Sequence, residues 1–150
     1  VKYAVADAAD SRGVAGEFDL ILCDAPCSGT GTLAANPEIR HRMKPEDLAR
    51  QAARQRAILK GAARRLAPGG RVVFSTCSLE PEECEQVVDQ VAPETGLRRV
   101  PVGPLLARLN EQGTLLAGVQ TGSMVRGPEL RTLPGVHGCD GFFAVVLEMS

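Results

Sequence analysis

The sequence predicts an α/β domain. Short apolar runs at Tyr3–Ala6, Phe18–Cys23, Arg71–Ser75 and Phe142–Glu148 are near-continuous, the pattern of strands covered on both faces. A long amphipathic segment separates the second run from the third, and a second helical segment follows the third. Strand, long helix, strand, helix, strand is the order of an α/β fold with a largely parallel sheet. The 150 residues are 44% apolar and 23% charged with a net charge of −1, which excludes a disordered tail and allows a sizeable core. No apolar run approaches the ~18 residues of a transmembrane helix. Val1 to Asp10 show no basic region leading into an apolar stretch, so no secretory signal is expected.

Each element has local reasons. Phe18–Cys23 follows a Gly-containing loop. The long helix is predicted from about Pro45 to Leu66, with Leu48, Ala52, Leu59, Ala62 and Leu66 on one stripe. Pro45 suits its first turn, Glu46 and Asp47 complement its N-terminal dipole, and Pro68-Gly69-Gly70 supplies its stop. The second helix is predicted from near Glu80-Pro81. Cys84, Val87, Val88 and Val91 form its apolar face, Glu82 and Glu83 sit in its first turn, and Pro93 and Gly96 end it. Leu97–Val102 is a weaker strand. Residues 103–139 are rich in Gly and Pro and are expected to form a long irregular connection, with a short helix at Leu105–Leu109.

The five cysteines, Cys23, Cys27, Cys77, Cys84 and Cys139, are odd in number and irregular in spacing. That is a poor disulfide framework, and without a C-x-x-C pair no metal site is expected; reduced thiols in a cytoplasmic protein are the default. Aromatic residues make up 3%, which argues against a surface of stacked aromatics. Charge is uneven. Residues 40–71 hold ten Lys/Arg against Glu46 and Asp47. This block reads either as a solvated helix face or as a surface for a phosphate backbone.

In open α/β sheets ligands bind beyond the carboxyl ends of the strands. Asp24-Ala25-Pro26-Cys27-Ser28-Gly29-Thr30-Gly31 leaves one such end and Thr76-Cys77-Ser78-Leu79-Glu80-Pro81 another. Cys77 precedes a predicted helix N-terminus, where dipole and free amides favour the thiolate. It is therefore either a nucleophile or a small residue closing the strand. Cys23 and Cys84 read as core. Asp24 follows an apolar strand and needs a partner or a ligand, and Asp7 stands at the exit of Tyr3–Ala6 in the same way. Each is a ligand contact or a loop cap. Asp7, Asp24 and Cys77 are expected on one cleft lip.

These motifs are specific. The segment 24–31, followed by Thr76-Cys-Ser-Leu-Glu-Pro-Glu-Glu83, resembles the Nop/Sun family of RNA (cytosine-5) methyltransferases, and most closely its bacterial 16S rRNA branch. Asn36-Pro-Glu-Ile-Arg40 and Leu133-Pro-Gly135 leading to Asp140-Gly-Phe-Phe143 extend the match over nearly the whole chain in the family's order. The resemblance implies a Rossmann-like class I sheet and S-adenosylmethionine as cofactor. It implies RNA, 16S rRNA in the first place, as partner, with neither a metal nor a membrane. Cys77 would attack carbon 6 of cytosine, and Cys27 would be needed to release the methylated product from the covalent adduct. Asp24 would lie beside cofactor and base, Asp7 (or Asp10) beside the cofactor's adenine, and Pro26, Asp140 and Gly141 on the substrate side. Cys84 departs from the Asn common at its position in the family.

The resemblance also implies that residues 1–150 are the C-terminal part of a methyltransferase catalytic domain. The family's first two strands, its Gly-rich cofactor loop, the acid that holds the ribose and its RNA-binding region would precede Val1, which is not a Met. Tyr3–Ala6 would then lack its neighbouring strand, and this chain by itself would be inactive. Competing readings are a non-catalytic RNA-binding fragment using residues 40–71, a tRNA-directed methyltransferase of the same family, and a thiol hydrolase pairing Cys77 with His41 or His137.

Overall fold

A computed structural model describes residues 3–10 and 13–149. In chain order they form β1 (Phe18–Asp24), a 3₁₀ turn at Thr30–Thr32, α1 (Ile39–Arg42), α2 (Pro45–Ala63) and β2 (Leu66–Thr76). A 3₁₀ turn at Pro81–Glu83, α3 (Glu85–Thr95), β3 (Leu97–Val100), α4 (Val102–Glu111) and a 3₁₀ turn at Thr121–Met124 follow. The last strands are β4 (Val125–Arg126), β5 (Glu129–Thr132) and β6 (Phe142–Met149).

The fold is α/β, but the sheet is mixed rather than largely parallel. Among the described residues β1 and β2 are the one parallel pair, with Cys23 opposite Phe74 and Asp24 opposite Ser75. β6 runs antiparallel along the other side of β2. β3 and β5 share the far side of β6, pairing with Val146–Met149 and Phe142–Ala144 respectively, and β4 adds to β5. β3 falls within the strand expected at Leu97–Val102, whereas β4 and β5 come from the segment between α4 and β6, where apolar alternation is too short to be legible.

Period-2 alternation divides the sheet into unlike faces. Val72, Phe74, Thr76, Phe143, Val145 and Leu147 point one way and are fully buried. They pack with Ala52, Ile58, Leu59 and Ala63 of α2 and Val87, Val88 and Val91 of α3. The Phe74 and Phe143 rings meet edge-on at 6.4 Å, an arrangement worth about 0.5–1.5 kcal/mol beyond area burial. On the opposite face Leu20 and Leu22 remain 65% and 73% exposed.

Several expectations are corrected. Tyr3–Ala6 is not a strand; it is exposed, because no described strand offers its backbone a ladder. α2 stops at Ala63, before Leu66, and its stop is not Pro68-Gly69-Gly70. Those three residues lie inside β2 and take up the register shift between Phe18 and Leu20. At the N-terminus of α2, the Lys44 N–H donates to Asp47 Oδ2 at 3.0 Å. α3 begins at Glu85 and runs through Pro93, whose missing N–H falls in the last turn, and ends at the left-handed Gly96 (φ 75°). Residues 103–139, expected to be irregular, contain most of α4 together with β4 and β5. No helix among the described residues is long and apolar enough to cross a membrane.

Candidate active site

Parallel pairing of β1 with β2 brings two loops side by side at the carboxyl end of the sheet. Backbone bonds fix their separation: Ala25 N–H donates to Ser75 O (2.9 Å) and Gly31 N–H to Cys77 O (2.9 Å). Gly141 N–H donates to Gly31 O (2.8 Å), which ties the start of β6 to the same loop. A Cβ on Gly31 would lie 2.2 Å from Gly141 O, so this approach requires glycine.

The result is a thiol pair. Cys27 Sγ and Cys77 Sγ lie 3.3 Å apart, half-buried. Burial, then the hydrogen bond with Cys77 and the charges of Cys77 and Glu83, push the Cys27 thiol up to about 12, against a lowering from the Gly29 backbone. Cys27 therefore stays protonated at neutral pH and can donate to its neighbour. Cys77 is not at a helix N-terminus as expected. Ser78–Glu80 are non-helical and α3 starts only at Glu85, so the dipole argument does not reach its sulfur. Cys23 and Cys84 are buried, and burial raises both thiols to about 11.

Behind the thiols lies a buried polar cluster. Glu83 is fully buried. Its Oε1 accepts from Ser28 N–H (2.8 Å) and Gln55 Nε2 (3.3 Å). Its Oε2 accepts from Ser78 Oγ (2.6 Å) and from Ser28 Oγ. Gln55 Nε2 also donates to Pro26 O (2.9 Å). Serving two acceptors turns the amide NH₂ inward and leaves Gln55 Oε1 without a hydrogen-bond partner among the described residues. Sequence reasoning missed this cluster. The available signal was Gln55, a polar residue interrupting the apolar stripe between Ala52 and Leu59.

Two hollows flank the Pro26–Cys27 step. The first, about 400 Å³, is lined by Asp7, Asp24 and Pro26 with Leu20, Leu22, Ile58 and Ala62 among its apolar walls. Asp24 Oδ1 accepts from Ser75 Oγ (2.9 Å), and Asp7 Oδ1 accepts from Ala9 N–H (2.9 Å) in a turn. Each aspartate thus caps locally while lining the hollow, and of Asp7 and Asp10 it is Asp7 that lines it. Apolar walls with two carboxylates at the rim fit a flat ring carried by a cationic, hydroxyl-bearing molecule. The second hollow, about 340 Å³, is lined by Cys27, Ser28, Ile39, Arg42, Met43 and Arg50. Arg50 pairs with Asp47 at 2.6 Å, whereas Arg40, Arg42, Lys44 and Arg54 make no ion pair among the described residues.

The expected single lip is therefore divided: Asp7 and Asp24 share one hollow and Cys27 lines the other, while Cys77 lines neither of the two and reaches the site through its contact with Cys27. The Asp140 side chain is exposed and its carbonyl accepts from Thr132 Oγ1 (2.7 Å), while Gly141 is buried against Gly31 and Leu79. His137 is occupied by backbone: Leu133 N–H donates to its Nδ1 (2.8 Å) and its Nε2 lies 3.2 Å from Ser123 O. That leaves neither ring nitrogen open to serve a thiol hydrolase, and His41 is exposed.

Residues 1–148 match the family model described as 16S rRNA methyltransferase RsmB/F. "Ribosomal RNA small subunit methyltransferase B" of Thermus thermophilus is 48% identical over 85 residues, 56% of this chain and 21% of that protein. The protein of the same name from Vibrio cholerae is 34% identical over 132 residues, covering 88% of this chain and 26% of its own length. The structure of NSun6 from Pyrococcus horikoshii, solved with the S-adenosylmethionine analogue SFG, superposes with a TM-score of 0.75 at 27% identity, over 99% of this chain and 34% of that one. The chain thus spans between about a fifth and a third of these relatives' lengths.

Proposed function

The chain belongs to the RsmB/F family of 16S rRNA methyltransferases, and from that premise we propose that it is the C-terminal, chemistry-bearing part of an S-adenosylmethionine-dependent rRNA (cytosine-5) methyltransferase. The observation that carries this reading is the contact of Cys27 with Cys77 at 3.3 Å, one thiol from each of two neighbouring strand ends. An aromatic carbon is a weak nucleophile, and a covalent route divides its substitution into two easier steps. Cys77 adds through sulfur to carbon 6 of the cytosine, and the displaced π electrons make carbon 5 nucleophilic. S-adenosylmethionine, when bound, supplies the electrophilic methyl group that carbon 5 takes. Release then breaks the C5–H and C6–S bonds: a solvent water takes the C5 proton, the C–H electron pair re-forms the C5–C6 double bond, and the sulfur leaves as a thiolate. The protonated Cys27 lies where it donates a hydrogen bond to that departing sulfur.

The two hollows support a division of substrates. Asp7 and Asp24 in the first would hold the cofactor, with Asp24 also near the polar edge of the base. The second would receive the RNA beside Cys27, with Arg42 placed for a backbone phosphate. Pro26 and Cys27 form the partition across which the methyl group passes. Gly141 shapes the substrate side by holding the Gly31 backbone, and Asp140 lies next to it. The target cytosine must leave any stack to reach the thiols. A cytoplasmic site of action accords with an rRNA substrate and free thiols.

Cys77→Ala in the enzyme carrying this chain should abolish incorporation of labelled methyl groups into 16S rRNA, while RNA binding persists. Methylation at the wild-type rate would overturn the proposal. A non-catalytic RNA-binding fragment would instead show salt-dependent RNA binding and no methylation with Cys77 intact.

A further inference from the structure

We propose that Glu83 is the positioning residue that sets the two thiols against each other, so that its loss uncouples product release from methyl transfer. The inference rests on the roles assigned above to Cys77 and Cys27. Ser28 follows Cys27 and Ser78 follows Cys77, and one carboxylate grips both. Oε1 holds the Ser28 N–H at 2.8 Å, and Oε2 holds the Ser78 hydroxyl at 2.6 Å together with the Ser28 hydroxyl. Gln55 adds a third anchor from α2 at 3.3 Å.

A carboxylate is a costly choice for a fully buried position where no cation pairs with it among the described residues. A structural peg for the start of α3 needs no charge. What the carboxylate uniquely offers is two oxygens that accept four donors at once, whereas an amide presents one oxygen and turns two N–H groups against the rest. The charge has a second consequence. It faces Cys27, where it adds to the forces keeping that thiol protonated.

The geometry makes a selective test available. Besides the contact of the Ser28 and Ser78 hydroxyls at 3.3 Å, the ties between the loops that do not use Glu83 lie on either side of this point: Ala25 N–H to Ser75 O (2.9 Å) before Cys27, and Gly31 N–H to Cys77 O (2.9 Å) and Leu79 N–H to Thr30 Oγ1 (3.0 Å) after it. Glu83→Gln leaves these in place and frees chiefly the Cys27–Ser28 end. In the full enzyme with 16S rRNA and S-adenosylmethionine, Glu83→Gln should keep the RNA KM within about twofold and lower kcat by about tenfold or more. It should also accumulate a protein–RNA adduct that survives denaturing electrophoresis, the result expected of Cys27→Ala. Glu83→Asp, which keeps both oxygens, should restore part of the turnover. Should Glu83→Gln not fold, Ser78→Ala, which removes one grip, should show the same adduct in smaller amount. Adduct with Cys27→Ala but none with the Glu83 or Ser78 variants overturns the positioning role alone. Absence of adduct with Cys27→Ala overturns the assignment of Cys27 on which it rests.

Discussion

The Cys27–Cys77 side and the Asp7–Asp24 side of this site are enclosed to different degrees among the described residues. Around Cys27 and Cys77 every tie comes from within the chain: two strand ends, the start of β6, and a buried carboxylate with its four donors. Around Asp7 and Asp24 the walls are open. Tyr3 and Val5 are exposed, and Leu20 and Leu22 stand in solvent at 65% and 73%. Covering a leucine contributes roughly 1.5–3 kcal/mol, a stabilisation that this face does not draw on among the described residues. Contacts internal to the chain therefore suffice to fix Cys27 against Cys77, while the hollow lined by Asp7 and Asp24 stays open on one side among the described residues.

The contrast can be broken at several levels. The largest expected effect is in ligand binding: the 150-residue chain should bind S-adenosylmethionine more weakly than micromolar by isothermal titration, and micromolar affinity would mean that the open wall is sufficient. Next comes stability. Phe74→Ala empties the covered face and should cost about 3–5 kcal/mol in urea unfolding, whereas Leu22→Ala on the bare face should stay within about 0.5 kcal/mol. Equal costs would erase the distinction between the faces.

A smaller effect is set by pH. Burial raises the Cys23 and Cys84 thiols from an ordinary value of 9.0 to about 11. Over that interval the unfolded chain loses protons that the folded chain keeps, so stability should fall as pH rises from about 9 to 11. The double variant Cys23→Ala/Cys84→Ala should reduce this slope and leave the share of Cys27, whose thiol is also raised; an unchanged slope would assign it to other groups. The smallest effect belongs to the second hollow. Arg42→Ala should reduce the salt dependence of RNA binding by roughly one unit of log–log slope, the signature of one lost phosphate contact.

The parts of this contrast were unequally legible in the sequence. The two cysteine loops stood out because each leaves an apolar run and carries a specific motif. β1, β2 and β6 were legible from their own residues, and α2 from its stripe. Tyr3–Ala6 has strand composition, but a strand is made by its neighbour, and none of the described strands pairs with it. β4 and β5 are too short to show alternation, and their turn at Gly127-Pro128 lies in a stretch crowded with glycine and proline. Glu83 was hidden for another reason. By position it reads as a first-turn acid, and its burial exists only once Ser28, Gln55 and Ser78 converge on it. Helix start signals cannot distinguish an acid serving a dipole from one serving two distant loops.

The most direct test of the account is the identity of the bond between enzyme and RNA. Cys27→Ala enzyme should be incubated with S-adenosylmethionine and 16S rRNA, digested, and its adduct mapped by mass spectrometry. A methylated cytosine attached to the sulfur of Cys77 is the predicted result. Attachment at another residue, or complete turnover with no adduct, would contradict it.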